Sequence, residues 1–415
     1  MALPLSDTVL IISSELGINS SLLALKKQCP LAQTRFIYLL EDLRGKADAT
    51  LKARTDVFIV QDFAQHREVE IAFDCIEERY AVTRAVPSDE FALFIAAWAN
   101  DRWQLPGIDY ATALKFRDKK QMKAIAERAG IPTAREITPD DIRHHRVPFP
   151  IIMKPRSLAG SVGARIIHEA HELPAALTSD GQVAYRDMDE QQCFLETYNP
   201  NPLYHLDAIV IKGALSFLSV GEYSGKPLQF LQEQPLGSRR VAEQEVTQLW
   251  RPFCTAVVTA FDAPDGVYHI EAFKDQRDHV ELLEIAYRPG GGPIAALLHK
   301  AHGVDLYLMH IGLQLGAAPL PTPRASPLGY GWLMFPKRHL STQRLLVKQI
   351  TMPPLDALAT LISHTVLAPG DVASGEFYCH SECLGTFIFL GDYQRVVQDQ
   401  RRVYDTFKAT FCAPK

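Results

Sequence analysis

Two apolar runs, Tyr268-His269-Ile270-Glu271-Ala272-Phe273 and Val280-Glu281-Leu282-Leu283-Glu284-Ile285, flank the polar turn Gln276-Arg277-Asp278. Runs of this length around such a turn predict two antiparallel neighbours of one hairpin. Each strand carries a glutamate among residues that belong in a core, and a carboxylate there is costly unless paired or bound to a cation. If the register sets Glu271 opposite Glu284, two hard oxygen ligands face one point, which suits Mg²⁺ bridged to phosphates. The plain alternative is a solvated sheet face with alternate glutamates. Glu281 fits that alternative, because it lies on the opposite parity from Glu284. Four residues after Glu284 comes Arg288-Pro289-Gly290-Gly291-Gly292-Pro293, with helical spacing from Pro293 to His302. A guanidinium, glycine backbone N–H groups and a helix start at one place make an anion site, fit for a carboxylate or its acyl phosphate.

The chain before this hairpin alternates strand and helix. Thr8–Ser13, Thr34–Leu40 and Asp56–Val60 read as strands, with Glu70–Phe73 as a further one, and Asn19–Gln28 and Asp89–Trp98 as helices. That order predicts a parallel sheet covered on both faces. Glu15-Leu16-Gly17 holds a single glycine, so a dinucleotide-binding turn is not indicated. Ala113–Ala129 predicts one helix, charged near its start (Lys115, Arg117, Asp118, Lys119, Lys120) and stopped by Gly130 and Pro132. Ile151–Lys154 predicts a strand that runs into Pro155–Gly163, a loop of small residues. Such a loop lets backbone N–H groups approach phosphate while Lys154 supplies charge, although it is not a Walker A sequence and a glycine-containing turn explains it equally. Strand patterns then dominate to Gly292, interrupted by a helix over Glu243–Phe261, and the prolines at 319, 321, 323 and 327 mark a domain edge.

Length and charge narrow the functional class. The 415 residues suggest about three domains. A net charge of −5 gives no electrostatic footprint for nucleic acid. No apolar stretch is long enough for a bilayer span, and Met1–Leu10 lacks a basic leader, so cytoplasmic residence is the expectation. Seven scattered cysteines read as reduced thiols. Cys379-x-x-x-Cys383 around His380 lacks the second ligand pair a zinc site needs.

Taken together these stretches resemble the ATP-grasp superfamily, and within it the carboxylate–amine ligases that join amino acids into dipeptides. Lys115 with Arg117-Asp118-Lys119 is similar to the family's "DK" helix, and Gly130-Ile131-Pro132-Thr133 to the turn after it. Phe149–Pro155 resembles its nucleotide lysine strand, Gly160-Ser161-Val162-Gly163 its phosphate loop, and Phe194–Tyr198 its adenine hinge. The resemblance implies an α/β and α+β protein of four parts. These are an N-terminal doubly wound parallel-sheet domain (1–112), ATP-grasp subdomains for nucleotide (113–195) and for metal and substrate (196–318), and a small C-terminal α+β domain (319–415).

The resemblance also implies roles. Lys115, Lys154 and Ser161 would contact ATP phosphates, Glu196 and Tyr198 adenine, and His205 of His205-x-Asp207 the ribose. Glu271 and Glu284 would hold Mg²⁺, or Mn²⁺ in its place. Arg288 would hold the carboxylate and steady its acyl phosphate, with Gly291 donating a backbone N–H, and Glu233 would take the amino group of an amino-acid substrate. Ala286 stands where the family often has asparagine, which removes one metal ligand. The implied partners are a small carboxylate and a small amine, with no nucleic acid and no membrane, and a homodimer is admitted. The product would be a dipeptide or a peptide-like natural product such as an antibiotic precursor. Three alternatives are weaker. A carboxylase lacks its Met-Lys-Met biotin site here. A thioester-forming ligase lacks a phosphohistidine loop, since His299, His302 and His310 sit on helical segments. A regulatory ATP sensor would be expected to have lost Glu271, Glu284 or Arg288. An ATP-grasp ligase acting on a non-amino-acid carboxylate stays open.

Overall fold

The computed structural model describes residues 7–14, 34–173, 193–317, 321–375 and 383–414. The expected helix Asn19–Gln28, the Glu15–Gly17 turn, Cys29, and Cys379 with His380 lie outside the described residues. Strands β1 (Thr8–Ser13), β2 (Arg35–Glu41), β3 (Val57–Val60) and β4 (Arg84–Pro87) form a parallel sheet in the order β3-β2-β1-β4. Alternate residues of β1 and β2 go to opposite faces, as the two-residue period of a strand requires. Leu10, Ile12, Ile37 and Leu39 pack with Val69, Phe73 and Ile76, and with Ile95 and Ala99. Val9, Ile11, Phe36, Tyr38 and Leu40 pack with Leu308, Ile311 and Leu315. The second cover is therefore a helix, Leu306–Gln314, from far downstream of the sheet, which ends at Pro87.

Glu70–Phe73, expected as a strand, is part of the helix His66–Glu77. Its buried residues Val69, Ala72, Phe73 and Ile76 follow a helical spacing that a four-residue window cannot reveal. The single helix expected over 113–129 is two, Tyr110–Arg117 and Lys119–Arg128. Asp118 breaks the run: its backbone is extended (φ −90°, ψ 105°) and its carboxylate caps the second helix by accepting from the N–H of Lys120 and Gln121.

Strands β5 (Ile151–Pro155), β6 (Arg165–Ile167) and β7 (Cys193–Thr197) form a small antiparallel sheet in the order β6-β5-β7. The central sheet has eight antiparallel strands. They are β8 (Leu203–Ile211), β9 (Ala214–Ser224), β10 (Leu236–Arg240), β11 (Gly266–Lys274), β12 (Val280–Ala286), β13 (Gly329–Pro336), β15 (Leu361–Val366) and β16 (Cys383–Gly391), in the order β12-β11-β8-β9-β10-β13-β16-β15. The C-terminal α+β unit is joined to this sheet through β13, β15 and β16. It adds the ribbon β14 (Leu346–Thr351) with β17 (Lys408–Cys412), and the helix Tyr393–Thr406. One face of β8, β9, β11 and β12 packs on Phe116, Trp250, Val257 and Phe261 from the flanking helices. The other face, with the small sheet β5–β7, bounds a cleft. Among the described residues no helix is long and apolar enough to cross a membrane.

Candidate active site

The cleft is open to solvent, has about 1250 Å³ of free space when the solvent at its mouth is counted, and gathers residues from both sheets. Its floor is the β11–β12 hairpin. The register sets Glu271 directly opposite Glu284, and a bulge follows, with Ala272 paired to Leu282. The extra residue, Leu283, resets the strand's parity, so that Val280, Leu282 and Ile285 all enter one core. The parity argument for Glu281 therefore fails: it shares the face opposite that core with Glu284, partly exposed, but does not line the cleft. Tyr223 donates its hydroxyl to Glu271 Oε1 at 2.8 Å, and His269 Nε2 lies 3.5 Å from the same oxygen. Burial alone would raise the Glu271 carboxyl pKa, but the His269 and Tyr223 contacts and the Arg288 charge lower it.

Lys119, first residue of the second helix, reaches Glu284 at 3.3 Å and donates to the Leu158 carbonyl at 2.6 Å. Lys115 does not enter the cleft. Its ammonium donates to the Phe261 carbonyl at 3.4 Å and lines a separate hollow with Gln121 and Arg128. The turn at Asp118 is the reason, because it redirects the chain so that the residue after it, not the one three before it, faces the cleft. On the opposite wall Lys154 is buried and ion-paired with Glu196, and Lys123 pairs with the other Glu196 oxygen at 3.1 Å. Burial, and then the charge of Lys123, bring the Lys154 pKa down to about 8 against the opposing pull of Glu196. Glu196 lines the cleft, but both its oxygens are held by lysines.

Ser161 lines the cleft in a loop where it and Gly160 both adopt left-handed backbone (φ 62° and 63°). Tyr198 is on the wall too. Lys226 donates to its hydroxyl at 3.3 Å and to the Asn199 carbonyl at 3.2 Å, and its ammonium lies 5.0 Å from the Tyr198 ring and 5.4 Å from that of Phe273.

At the other end Arg288 and Gly291 line the cleft. Arg288 donates from Nε to Glu90 Oε2 at 2.7 Å and from Nη1 to the Pro289 carbonyl at 2.9 Å. Glu90 comes from the N-terminal sheet and accepts from Arg117 Nη1 at 2.5 Å through its other oxygen. Burial favours its neutral form, but Arg288, Arg117 and Lys119 outweigh burial and hold its pKa at about 2. Gly290 is glycine because a Cβ there would fall 2.4 Å from Asp207 Oδ1. Gly292 is glycine because its φ is +57°.

His205 is not in the cleft. It is buried between Asp207 (Nδ1 to Oδ2, 2.7 Å) and Ser238 (Nε2 to Oγ, 2.7 Å). Asp207 also receives His269 Nδ1 at 2.9 Å, and its burial, which would raise its pKa, is outweighed by the two imidazoles. The three side chains could converge on an ion. Nδ1-to-carboxylate distances of 2.7 and 2.9 Å instead describe hydrogen bonds that fix the orientation of both rings. Against its own burial, Asp207 raises the His269 pKa to about 9. Glu233 is not in the cleft either. It pairs with Arg338 at 2.8 Å and accepts from the Leu340 N–H at 2.9 Å, tying its loop to the C-terminal unit. Sequence reasoning missed Lys119, Lys123, Lys226, Glu90, His269 and Tyr223. The capping aspartate before Lys119 was a usable signal for the first; nothing local marks the others.

No protein-family model matches the chain. Its architecture is the ATP-grasp fold. Among solved structures it is similar to an L-amino acid ligase from Bacillus licheniformis (TM-score 0.72, 15% identity, 99% of each chain covered). It is also similar to the biotin carboxylase domain of 2-oxoglutarate carboxylase from Hydrogenobacter thermophilus in complex with MgADP, ADP and bicarbonate (TM-score 0.66, 13% identity, 98% and 91% covered). By sequence it is similar to an L-arginine-specific L-amino acid ligase from Bacillus subtilis, 22% identical over 264 residues. That match takes in 61% of this chain and 63% of the relative's length, just under two thirds.

Proposed function

We propose that this chain is an ATP- and Mg²⁺-dependent ligase that joins the carboxylate of one amino acid to the amine of another through an acyl phosphate, releasing ADP and phosphate. The observation that carries the reading is the juxtaposition of Glu271 and Glu284, in register, with Arg288 at the same end of a lysine-lined cleft. The two carboxylates fit Mg²⁺ in ligand type, and a bound Mg²⁺ would offset charge on the transferred phosphoryl group. Lys119 and Lys154 hold the phosphates, and Tyr198 with Lys226 bounds the base end. Ser161 belongs to the loop that covers the phosphates. The substrate carboxylate oxygen attacks the γ-phosphorus as the bond to ADP breaks. Arg288 steadies the acyl phosphate, and the Gly291 N–H supports it. The amine then attacks the acyl carbon and phosphate leaves. The chain supplies position and charge rather than a nucleophile.

The likeness to L-amino acid ligases supports amino acids as the substrates and a dipeptide or peptide-like product. The test is ADP and phosphate release with ATP, Mg²⁺ and a panel of amino-acid pairs, with product masses by mass spectrometry. A product equal in mass to the two amino acids less water is expected. Arg288→Ala is expected to lower turnover by roughly 10²–10³, and near-normal product formation by that variant would remove its role. No ADP release with any pair would point to a non-amino-acid carboxylate.

A further inference from the structure

We propose that Glu90, contributed by the N-terminal sheet, is a positioning residue that clamps Arg288 and leaves one edge of its guanidinium for the reacting carboxylate. This rests on the ligase reading above. Glu90 lies just beyond the C-terminal end of β4, beside the end of β1, where the strand order of the parallel sheet reverses. Such a reversal opens a crevice at the strand ends. The turn there is tied down by hydrogen bonds. Asp89 accepts from the Ser14 N–H at 2.8 Å with one oxygen, and from the N–H groups of Phe91 and Ala92 at 3.0 and 3.1 Å with the other. Pinned by its neighbour, Glu90 projects out of the sheet and is 5% exposed.

Its two oxygens are divided between two guanidinium groups. Oε1 takes Arg117 Nη1 and Oε2 takes Arg288 Nε. Arg117 in turn donates to the Ser157 carbonyl, at the start of the loop that lines the phosphate end of the cleft. One carboxylate thus ties the N-terminal sheet, the Tyr110–Arg117 helix and the loop after β5 to Arg288. With Nε held by Glu90 and one Nη1 N–H by the Pro289 carbonyl, Nη2 and the second Nη1 N–H form the edge through which Arg288 can address an anion. Two guanidinium charges share one carboxylate, so the cluster keeps a net positive charge for that anion. A Gln at position 90 would keep the shape but turn one oxygen into an amide donor facing a guanidinium, so one arginine would lose its acceptor.

The experiment is a double-mutant cycle of Glu90→Gln with Arg288→Lys, with kcat and KM for both ATP and the carboxylate substrate. A second readout, independent of turnover, is the arginine Nε–H spectrum of ¹⁵N-labelled protein. In that spectrum the Arg288 signal is identified by its absence in Arg288→Lys. Glu90→Gln is expected to lower kcat/KM for the carboxylate by roughly 10–100-fold, the usual scale for removing a group that orients a functional side chain. KM for ATP should stay within about twofold, and the slowly exchanging Arg288 Nε–H signal should disappear while other arginine signals persist. In the Arg288→Lys background the same change should add under about twofold, because lysine has no Nε for Glu90 to hold. Losses that multiply in the double variant, or an Arg288 signal unchanged in Glu90→Gln, overturn the proposal. If Glu90→Gln does not fold, Glu90→Asp takes its place in the cycle with the same criteria, since Asp is too short to reach both arginines. A wild-type protein that releases no ADP with any amino acid but shows the expected change in the Arg288 signal removes the amino-acid substrates and leaves the clamp standing.

Discussion

The two walls of the cleft are built on different plans. The floor, from Glu271 to Gly292, is one continuous piece of chain: hairpin, arginine and glycine loop. The lysine wall is assembled from segments far apart in sequence, with Lys119 and Lys123 on one helix, Lys154 on β5 and Glu196 on β7. In the floor, local register places Glu271 against Glu284, and Arg288 is held from outside the run, by Glu90. In the lysine wall, each charge depends on a partner brought by tertiary packing. A contiguous site tolerates loss of distant structure better than an assembled one, and substitutions can separate the two plans.

The largest effect belongs to the floor. Glu284→Gln keeps the hairpin but removes a hard anionic ligand, and should lower turnover by roughly 10²–10³ and raise the Mg²⁺ concentration needed for half-maximal rate. Unchanged Mg²⁺ dependence would break the assignment of the metal to this wall. Next comes the buried charge of the lysine wall. The Lys154 pKa, about 8 in the folded chain, is depressed from the ordinary lysine value of 10.5. Between those values the unfolded chain binds the extra proton, so this group makes stability rise with pH across that window. The expected gain is on the order of 3 kcal/mol, read as the difference in urea unfolding between wild type and Lys154→Met from pH 8 to 10.5. A pH-independent difference would refute it. Lys119→Ala should then cost about 10–100-fold in kcat/KM for ATP, whereas Lys115→Ala should stay within twofold. Equal losses would mean that Lys115 does enter the cleft when nucleotide binds. The smallest effect is Lys226→Met, which gives up contacts to two rings and should raise KM for ATP about three- to tenfold. An unchanged KM would remove Lys226 from the base end.

How far the site could be read in the sequence follows the same division. Glu271 opposite Glu284, with Arg288 and the glycines beyond, needed only strand periodicity and a turn. Those signals are local, though the bulge at Leu283 still misled the reading of Glu281. Lys115 lies outside the cleft and Lys119 lines it, because a helix pattern over 113–129 conceals a break whose only sign is an aspartate able to cap. His205 and Glu233 look functional as isolated polar residues in apolar or loop segments. Asp207 follows His205 on the same strand, but Ser238 on β10 and Arg338, the partner of Glu233, are brought in from distant parts of the chain. Glu90 could not be found at all, since its meaning comes from Arg288, 198 positions away. The parallel sheet was legible from alternating strand and helix patterns. Its far cover was not, because the helix Leu306–Gln314 belongs to a later part of the chain.

That helix is apolar on both sides. Leu308 and Ile311 face the N-terminal sheet, while Leu306 and Met309 enter the core beside β13, and His310 Nδ1 accepts from the Val267 N–H of β11 at 3.2 Å. The unit that would have to be exchanged in a chimera is therefore discontinuous. A crossover placed near residue 112, inside the helix Tyr110–Arg117, would strand Val9, Ile11, Phe36, Tyr38 and Leu40 against a foreign helix. Recombination, in the laboratory or in descent, has to carry residues 306–315 along with the first hundred, or repack that face.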